Sequence, residues 1–326
     1  MGPDFQDRGG EGGGPRPPAS FNWPPPLSPG EAIALAAPAS CVAREAWKAG
    51  VRVLRDWGFR VKCGPEVFSS RAPGRETDRL LARRFQELWC DPEIKAVMGV
   101  RGGYGSLKLL PYLDLASLGA VPKRLVGFSD LTNLLWHLHH RLGLVTFHGP
   151  TLAQLGEMTE GARQSLFDWL TAPGPRAATF ADLTILCPGV AEGPLAGGNL
   201  TTLCHLLGTP FAPQLRGYLL FLEDHREALY RLDRMIHHLL LAEALDGVKG
   251  VVLGGFSGCG SHEGLLEVFA AALEPLKVPV LAGLPLGHQP DNHTLPLGAR
   301  ARLDSRTASL SLAGLSIGAP NSRPIR

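Results

Sequence analysis

Leu125-Val126-Gly127-Phe128-Ser129-Asp130-Leu131-Thr132 is the stretch from which the rest of this chain can be read. An apolar run closes on a glycine, an aromatic residue and a serine. From Leu131 onward, Leu134, Leu135 and Leu138 recur at helical spacing. The spacing predicts a buried strand, a tight turn at Ser129 and then a helix. A serine on such a turn holds its hydroxyl exposed, beside backbone N–H groups of the helix start that lack an intrahelical partner and attract an anion. An acyl-transfer nucleophile needs that placement. A serine that merely caps the helix fits the same eight residues equally well. The pattern is also not the G-x-S-x-G elbow, because Leu131 stands in place of its second glycine.

Working outward, strands and helices alternate. Ala32 to Ala37 reads as a first buried strand, Ala43 to Trp57 as a helix, Phe59 to Val61 as a short strand and Asp78 to Asp91 as a helix. Ile94 to Val100 is a further strand and runs into Arg101-Gly102-Gly103-Tyr104-Gly105. This alternation predicts an α/β chain built on a parallel sheet with helices on both faces, whose ligands sit beyond the carboxyl ends of the strands. Both the glycine loop and Ser129 fall there. A second unit holds a strand over Gly217 to Leu222 that ends at Glu223 and Asp224, a helix from Ala228, and a strand over Val248 to Leu253. Another strand over Val278 to Leu284 leads to Gly287-His288, and a strand pair lies within Ala301 to Leu312. The expected division is a flexible Gly/Pro-rich tail over 1–26, a nucleophile domain over 27–170, a linker over 171–194 and a second domain over 195–326.

Composition narrows the functional classes. The chain has 326 residues, 44% hydrophobic and 19% charged, with a formal net charge of +2. Its basic residues are scattered, so there is no electrostatic footprint for nucleic acid. The Arg-rich stretch from Arg71 to Arg84 also contains Glu76 and Asp78 and reads as a solvated helix face. No apolar run reaches the length of a membrane span, and the first residues lack the apolar core of a secretion signal. The six cysteines form no C-x-x-C pair and have no zinc-finger spacing with histidine, so most are expected to be reduced and buried.

Three further features could carry chemistry. The glycines of Arg101 to Gly105 let the backbone turn tightly and present N–H donors. They form either a plain turn or an oxyanion hole in which the N–H groups of Gly103 and Asp130 point at one oxygen. Glu223 ends an apolar strand and inherits its fixed position, whereas Asp224 and Glu227 read as solvated or helix-start residues. His288 lies just beyond a strand. His293, five residues on, competes with it, and the helical His137, His139, His140, His237 and His238 read as surface or packing residues. A serine nucleophile needs a base near neutral pKa and an acid to fix that base's tautomer. The absence of G-x-x-x-x-G-K-[ST] and of G-x-G-x-x-G after the first strand counts against phosphate-loop and dinucleotide sites.

With these residues in hand, the chain resembles the LD-carboxypeptidase family of serine peptidases, which includes the murein tetrapeptide carboxypeptidases and the microcin C self-immunity proteins. The resemblance rests on Pro38-Ala39-Ser40, Arg101 to Gly105, Gly127 to Thr132, Phe147-His148-Gly149-Pro150 and Gly197-Gly198-Asn199-Leu200. It continues in Leu222-Glu223-Asp224 and in Gly287-His288 with Asn292 and Leu295-Pro296-Leu297-Gly298. It departs at Lys108, where many members carry Arg, and at Asn133, where a small residue is common.

The resemblance implies a flavodoxin-like or glutamine-amidotransferase-like N-terminal domain, a swivelling C-terminal α/β domain and a site between them. It implies a triad of Ser129, His288 and Glu223, and so selects His288 over His293. It further implies a cytoplasmic homodimer without metal or other cofactor, acting on a muropeptide substrate by releasing the terminal D-alanine of a tetrapeptide. Arg101 is then a candidate fork for the substrate carboxylate, with Tyr104 beside it as a second substrate contact. Two alternatives stand beside this expectation: a self-immunity amidase cleaving a peptidyl nucleotide with the same triad, and a non-enzymatic module using its glycine loops as anion nests.

Overall fold

The computed structural model describes residues 17–314 apart from 19, 70, 71 and 73. Most of the tail expected over 1–26 therefore lies outside the described residues. The first sheet contains β1 (Ala32–Ala36), β2 (Arg60–Cys63), β3 (Ile94–Gly99), β4 (Arg124–Gly127) and β5 (Thr146–His148), all parallel. β1, β4 and β5 are buried along their whole length, and all but one residue of β3 is. A parallel sheet requires this, because its crossover helices cover both faces. The helices are α1 (Arg44–Asp56), α2 (Arg75–Cys90), α3 (Leu115–Ala120), α4 (Thr132–Leu142), α5 (Leu152–Leu155) and α6 (Glu160–Thr171).

The second sheet is mixed. β6 (Ala178–Phe180), β7 (Thr184–Cys187), β8 (Val190–Asn199), β9 (Leu219–His225), β10 (Gly250–Ser257), β11 (Val280–Ala282), β13 (Arg300–Asp304) and β14 (Ser309–Leu312) run in the order β6-β14-β13-β8-β9-β10-β11-β7. β8 to β11 form a parallel centre, and the remaining strands pair antiparallel on either side. α7 (Leu200–Leu206), α8 (Leu229–Leu241) and α9 (His262–Leu273) accompany it. Asn199 caps α7 through Thr202 N–H, and Ser261 caps α9 through Gly264 N–H, each satisfying a donor that the first turn leaves orphaned.

The two halves interlock more than the sequence suggested. β12 (Leu295–Leu297), from the C-terminal half, crosses to the first sheet and pairs antiparallel with β5, placing Leu295 opposite His148. Asn199 N–H donates to Thr132 Oγ1 (3.1 Å), which ties the end of β8 to the start of α4. Residues 171–194, expected as a linker, contain β6, β7 and the start of β8. Residues 20–26, expected within the tail, run along the first domain. Asn22 pairs with Leu144, and Trp23 stacks on Trp169. Arg124, fully buried, donates to the carbonyls of Pro24, Pro25, Trp169 and Ala172 and clamps this arm to the end of α6.

The cysteine expectation needs correcting as well: only Cys204 and Cys259 are buried, and Cys63 and Cys90 are exposed. Their neighbours alternate between core and surface in a way that composition does not encode. Among the described residues, no helix is long and apolar enough to cross a membrane.

Candidate active site

Ser129 leaves β4 with a φ of 60°. A serine enters that left-handed region only where the surrounding structure holds it there. Its hydroxyl caps neither the single 3-10 turn Ser129–Leu131 nor α4, since neither start has a side-chain cap. The capping reading of Ser129 is thereby set aside. The turn is braced from the glycine loop. Ser106 N–H donates to Asp130 Oδ2 (2.8 Å), Ser106 Oγ to the Asp130 carbonyl (2.5 Å), and Asn133 Nδ2 to both Ser106 Oγ and the Asp130 carbonyl (3.0 Å each). Asn133, a departure from the family pattern, thus joins the loop to the nucleophile turn.

Gly102 is where these two backbones come closest. A Cβ built on it would lie 2.9 Å from both Cβ and Oγ of Ser129 and 3.8 Å from Asp130 N. No side chain fits there, so the loop carrying Gly102 and Gly103 lies directly against the serine. The candidate oxyanion donors, the N–H groups of Gly103 and Asp130, belong to these two adjoining segments. Arg101 and Tyr104 are exposed, Tyr104 by 64%, and the Lys108 ammonium lies 4.5 Å from the centre of the Tyr104 ring. Among the described residues, neither side chain bonds to Ser129, Glu223 or His288.

Glu223 is completely buried in β9, and its Oε2 accepts from His288 Nδ1 at 2.8 Å. Burial raises its carboxyl above the usual range, against the hydrogen bond from His288, which acts in the opposite direction. Gly287 makes the approach possible: its φ is +113°, and a Cβ there would lie 2.9 Å from Glu223 Oε2. The loop that carries His288 is anchored on the first domain. Asn292 Oδ1 accepts from Gly287 N–H (2.8 Å), Asn292 Nδ2 donates to Gln154 Oε1 (3.1 Å), and Thr159 Oγ1 donates to Asp291 Oδ1 (2.8 Å). His293 instead pairs with Asp291 (3.3 Å) and meets Phe180 edge-on. Geometry therefore also separates His288 from its competitor.

Phe128, which precedes Ser129, meets this pair: its ring centre and that of His288 are 4.7 Å apart. Among the described residues, no hydrogen bond joins Ser129 Oγ to His288. Three residues that sequence reasoning left aside also gather here. Asp224 is not solvated: it is 3% exposed and accepts from Asn199 Nδ2, Thr201 N–H, Thr201 Oγ1 and His225 N–H, which locks α7 to β9. His148 is fully buried with neither ring nitrogen bonded, and burial lowers its pKa to about 3. His225 lies on His288. The signal that could have found His225 is its spacing of two from Glu223 on one strand. Among the described residues, no three His, Cys, Asp or Glu side chains gather as a group able to hold a metal ion.

Comparison with known proteins agrees with this two-sheet fold. Residues 33–149 match the model of the LD-carboxypeptidase N-terminal domain, and residues 192–303 match that of its C-terminal domain. The chain belongs to the LD-carboxypeptidase family. It is 40% identical to a putative carboxypeptidase of Streptomyces coelicolor, over 89% of this chain and 95% of that one. It is 34% identical to the murein tetrapeptide carboxypeptidase of Pseudomonas aeruginosa (83% and 92%) and 30% identical to the microcin C7 self-immunity protein MccF of Escherichia coli (88% and 94%). Its fold matches the crystal structure of an MccF-like protein of Bacillus anthracis with a TM-score of 0.81 at 27% identity, over 90% of this chain and 99% of that one. The chain is therefore a serine carboxypeptidase at the level of its family. It shares with those relatives a parallel-sheet N-terminal domain and a second sheet domain.

Proposed function

We propose that this LD-carboxypeptidase releases the terminal D-alanine of murein tetrapeptides by two-step acyl transfer through Ser129, His288 and Glu223. In this reading, His288 Nε2 takes the proton of Ser129 as Oγ attacks the carbonyl of the penultimate residue. The N–H groups of Gly103 and Asp130 receive the oxyanion. His288 then gives its proton to the departing D-alanine amine, and water releases the acyl group by the same path in reverse. Glu223 fixes the tautomer: by accepting from Nδ1–H it leaves Nε2 as the basic nitrogen. The observation that supports the reading is a strained serine at φ 60° that caps nothing and follows a phenylalanine whose ring meets an imidazole bonded to a fully buried carboxylate. Catalytic hydrogen bonds of the Ser–His type are often long before substrate binds and tighten in the complex. In this reading Arg101, exposed at the head of the glycine loop, offers its guanidinium to the substrate carboxylate, and Tyr104 is a second substrate contact. A cytoplasmic homodimer recycling cell-wall fragments is the setting that goes with this reading.

The test is mass spectrometry of muropeptides incubated with the protein. Loss of one alanine from a tetrapeptide, with tri- and pentapeptides untouched, is the expected result. Ser129→Ala should lower turnover by roughly 10⁴-fold or more. Near-full activity in that variant would end the triad reading. The 30% identity to MccF supports a second reading, a hydrolase acting on a peptidyl nucleotide. Cleavage of an aminoacyl sulfamoyl adenosine in place of the tetrapeptide would decide for it.

A further inference from the structure

Alternate residues of a strand face the same side, so Phe221, Glu223 and His225 of β9 share one face. That face is aromatic around its carboxylate. Phe221 meets His148 with ring centres 5.0 Å apart, and Glu223 bonds to His288. The His225 ring lies flat on that of His288, with centres 4.7 Å apart and planes inclined by 8°. Phe128 touches the same imidazole at 4.7 Å and 60°. His225 Nδ1 is buried without a hydrogen-bond partner among the described residues, and the ring's polar neighbour is the Ser257 backbone.

This geometry bears on proton transfer. When His288 accepts a proton it becomes an imidazolium facing the π surface of its neighbour. A neutral aromatic face attracts a cation lying over it. We propose, on the reading that His288 is the base for Ser129, that His225 is a positioning residue whose ring, stacked flat on His288, holds that imidazole in plane and faces the charge it gains on taking the serine proton. The charged and titratable groups around the pair are Glu223 and Asp224 on β9, Arg226 just beyond it, and His148 on β5. Burial, followed by the neighbouring His288 and Arg226, keeps His225 below the ordinary histidine range, in keeping with a neutral partner.

The test reads nucleophile activation without depending on the natural substrate: the rate at which a fluorophosphonate labels Ser129, measured between about pH 5 and 8. His225→Leu removes the ring. It should slow labelling about tenfold at neutral pH, with the tetrapeptide KM changed less than about twofold. His225→Phe restores a flat ring that cannot take up a proton. It should recover labelling to within about threefold of wild type. Wild-type rates in both variants would overturn the proposal. So would equal slowing in both with a raised KM, which marks a substrate contact instead. If His225→Leu does not fold, the labelling rate of His225→Phe decides alone, and slowing of about tenfold or more there overturns the proposal. Wild-type protein that labels but leaves tetrapeptide intact refutes the assigned substrate and leaves the His225 comparison valid. Wild-type protein that never labels overturns the serine reading and this proposal together.

Discussion

Glu223→Gln is the substitution for which activity and stability should move in opposite directions. Glu223 is fully buried and lies 2.8 Å from His288 Nδ1. Once His288 has taken the serine proton, the two groups form an ion pair. At that separation and an effective dielectric of about 20, the attraction is about 6 kcal/mol. The His288 side chain is 20% exposed, and solvent screening reduces the figure to roughly 4–5 kcal/mol. At about 1.4 kcal/mol per factor of ten, this corresponds to a loss of roughly 10³- to 10⁴-fold in kcat. Glutamine keeps the volume. Its amide nitrogen, if turned toward Nδ1, selects the tautomer that leaves Nε2 protonated and unable to act as base. Burial disfavours the charged carboxylate, so the neutral amide should leave the thermal midpoint unchanged or raise it. The assays are tetrapeptide turnover and a thermal melt on the same preparation. Activity within tenfold of wild type, in a variant that folds normally, would refute the role assigned to the carboxylate.

Two further outcomes test the surrounding structure. Gly102→Ala places a Cβ 2.9 Å from Ser129 Oγ, so either the loop or the serine must move. Misplacement on that scale should cost about 10²-fold in kcat/KM with the melt little altered, and full activity would show that the loop does not brace the nucleophile. Burial holds His137, His139 and His148 at about 4, about 4 and about 3, whereas in the unfolded chain each titrates near 6.5. Below pH 6.5 the unfolded state therefore binds protons that the folded state refuses. Stability is at its full value above that pH and falls as the solution is acidified toward the folded pKa values. From pH 7 to pH 5 the loss is about 2 kcal/mol per histidine, and urea midpoints at the two pH values should differ accordingly. Coincident midpoints would mean that these imidazoles are protonated in the fold.

How much of this was legible in the sequence can be judged residue by residue. The strand–turn–helix at Ser129 was, because a fully buried strand and an amphipathic helix leave periodic traces that are local in the chain. The glycine loop was legible because only glycine tolerates its backbone. Asp224 was misread because a carboxylate surrounded by N–H and hydroxyl donors has the same sequence as a solvated one. Its partners Asn199 and Thr201 are 25 and 23 residues away. The segment 171–194 looked like a linker because edge strands are short and broken by Pro and Gly, and their pairing partners lie more than ninety residues later in β13 and β14 or in β11.

By itself, the sequence determined the α/β alternation, the serine at the end of a strand (half-buried in the fold, not exposed as expected), and the set of candidate acids and bases, since each depends on neighbours within a few residues. Only the tertiary structure decided which histidine the buried carboxylate holds. It also revealed that β12 returns to the first sheet, and that Asn292 and Gln154 moor the His288 loop across the molecule. Those choices depend on close packing and on satisfying buried polar groups between segments far apart in the chain. A linear pattern carries no record of either.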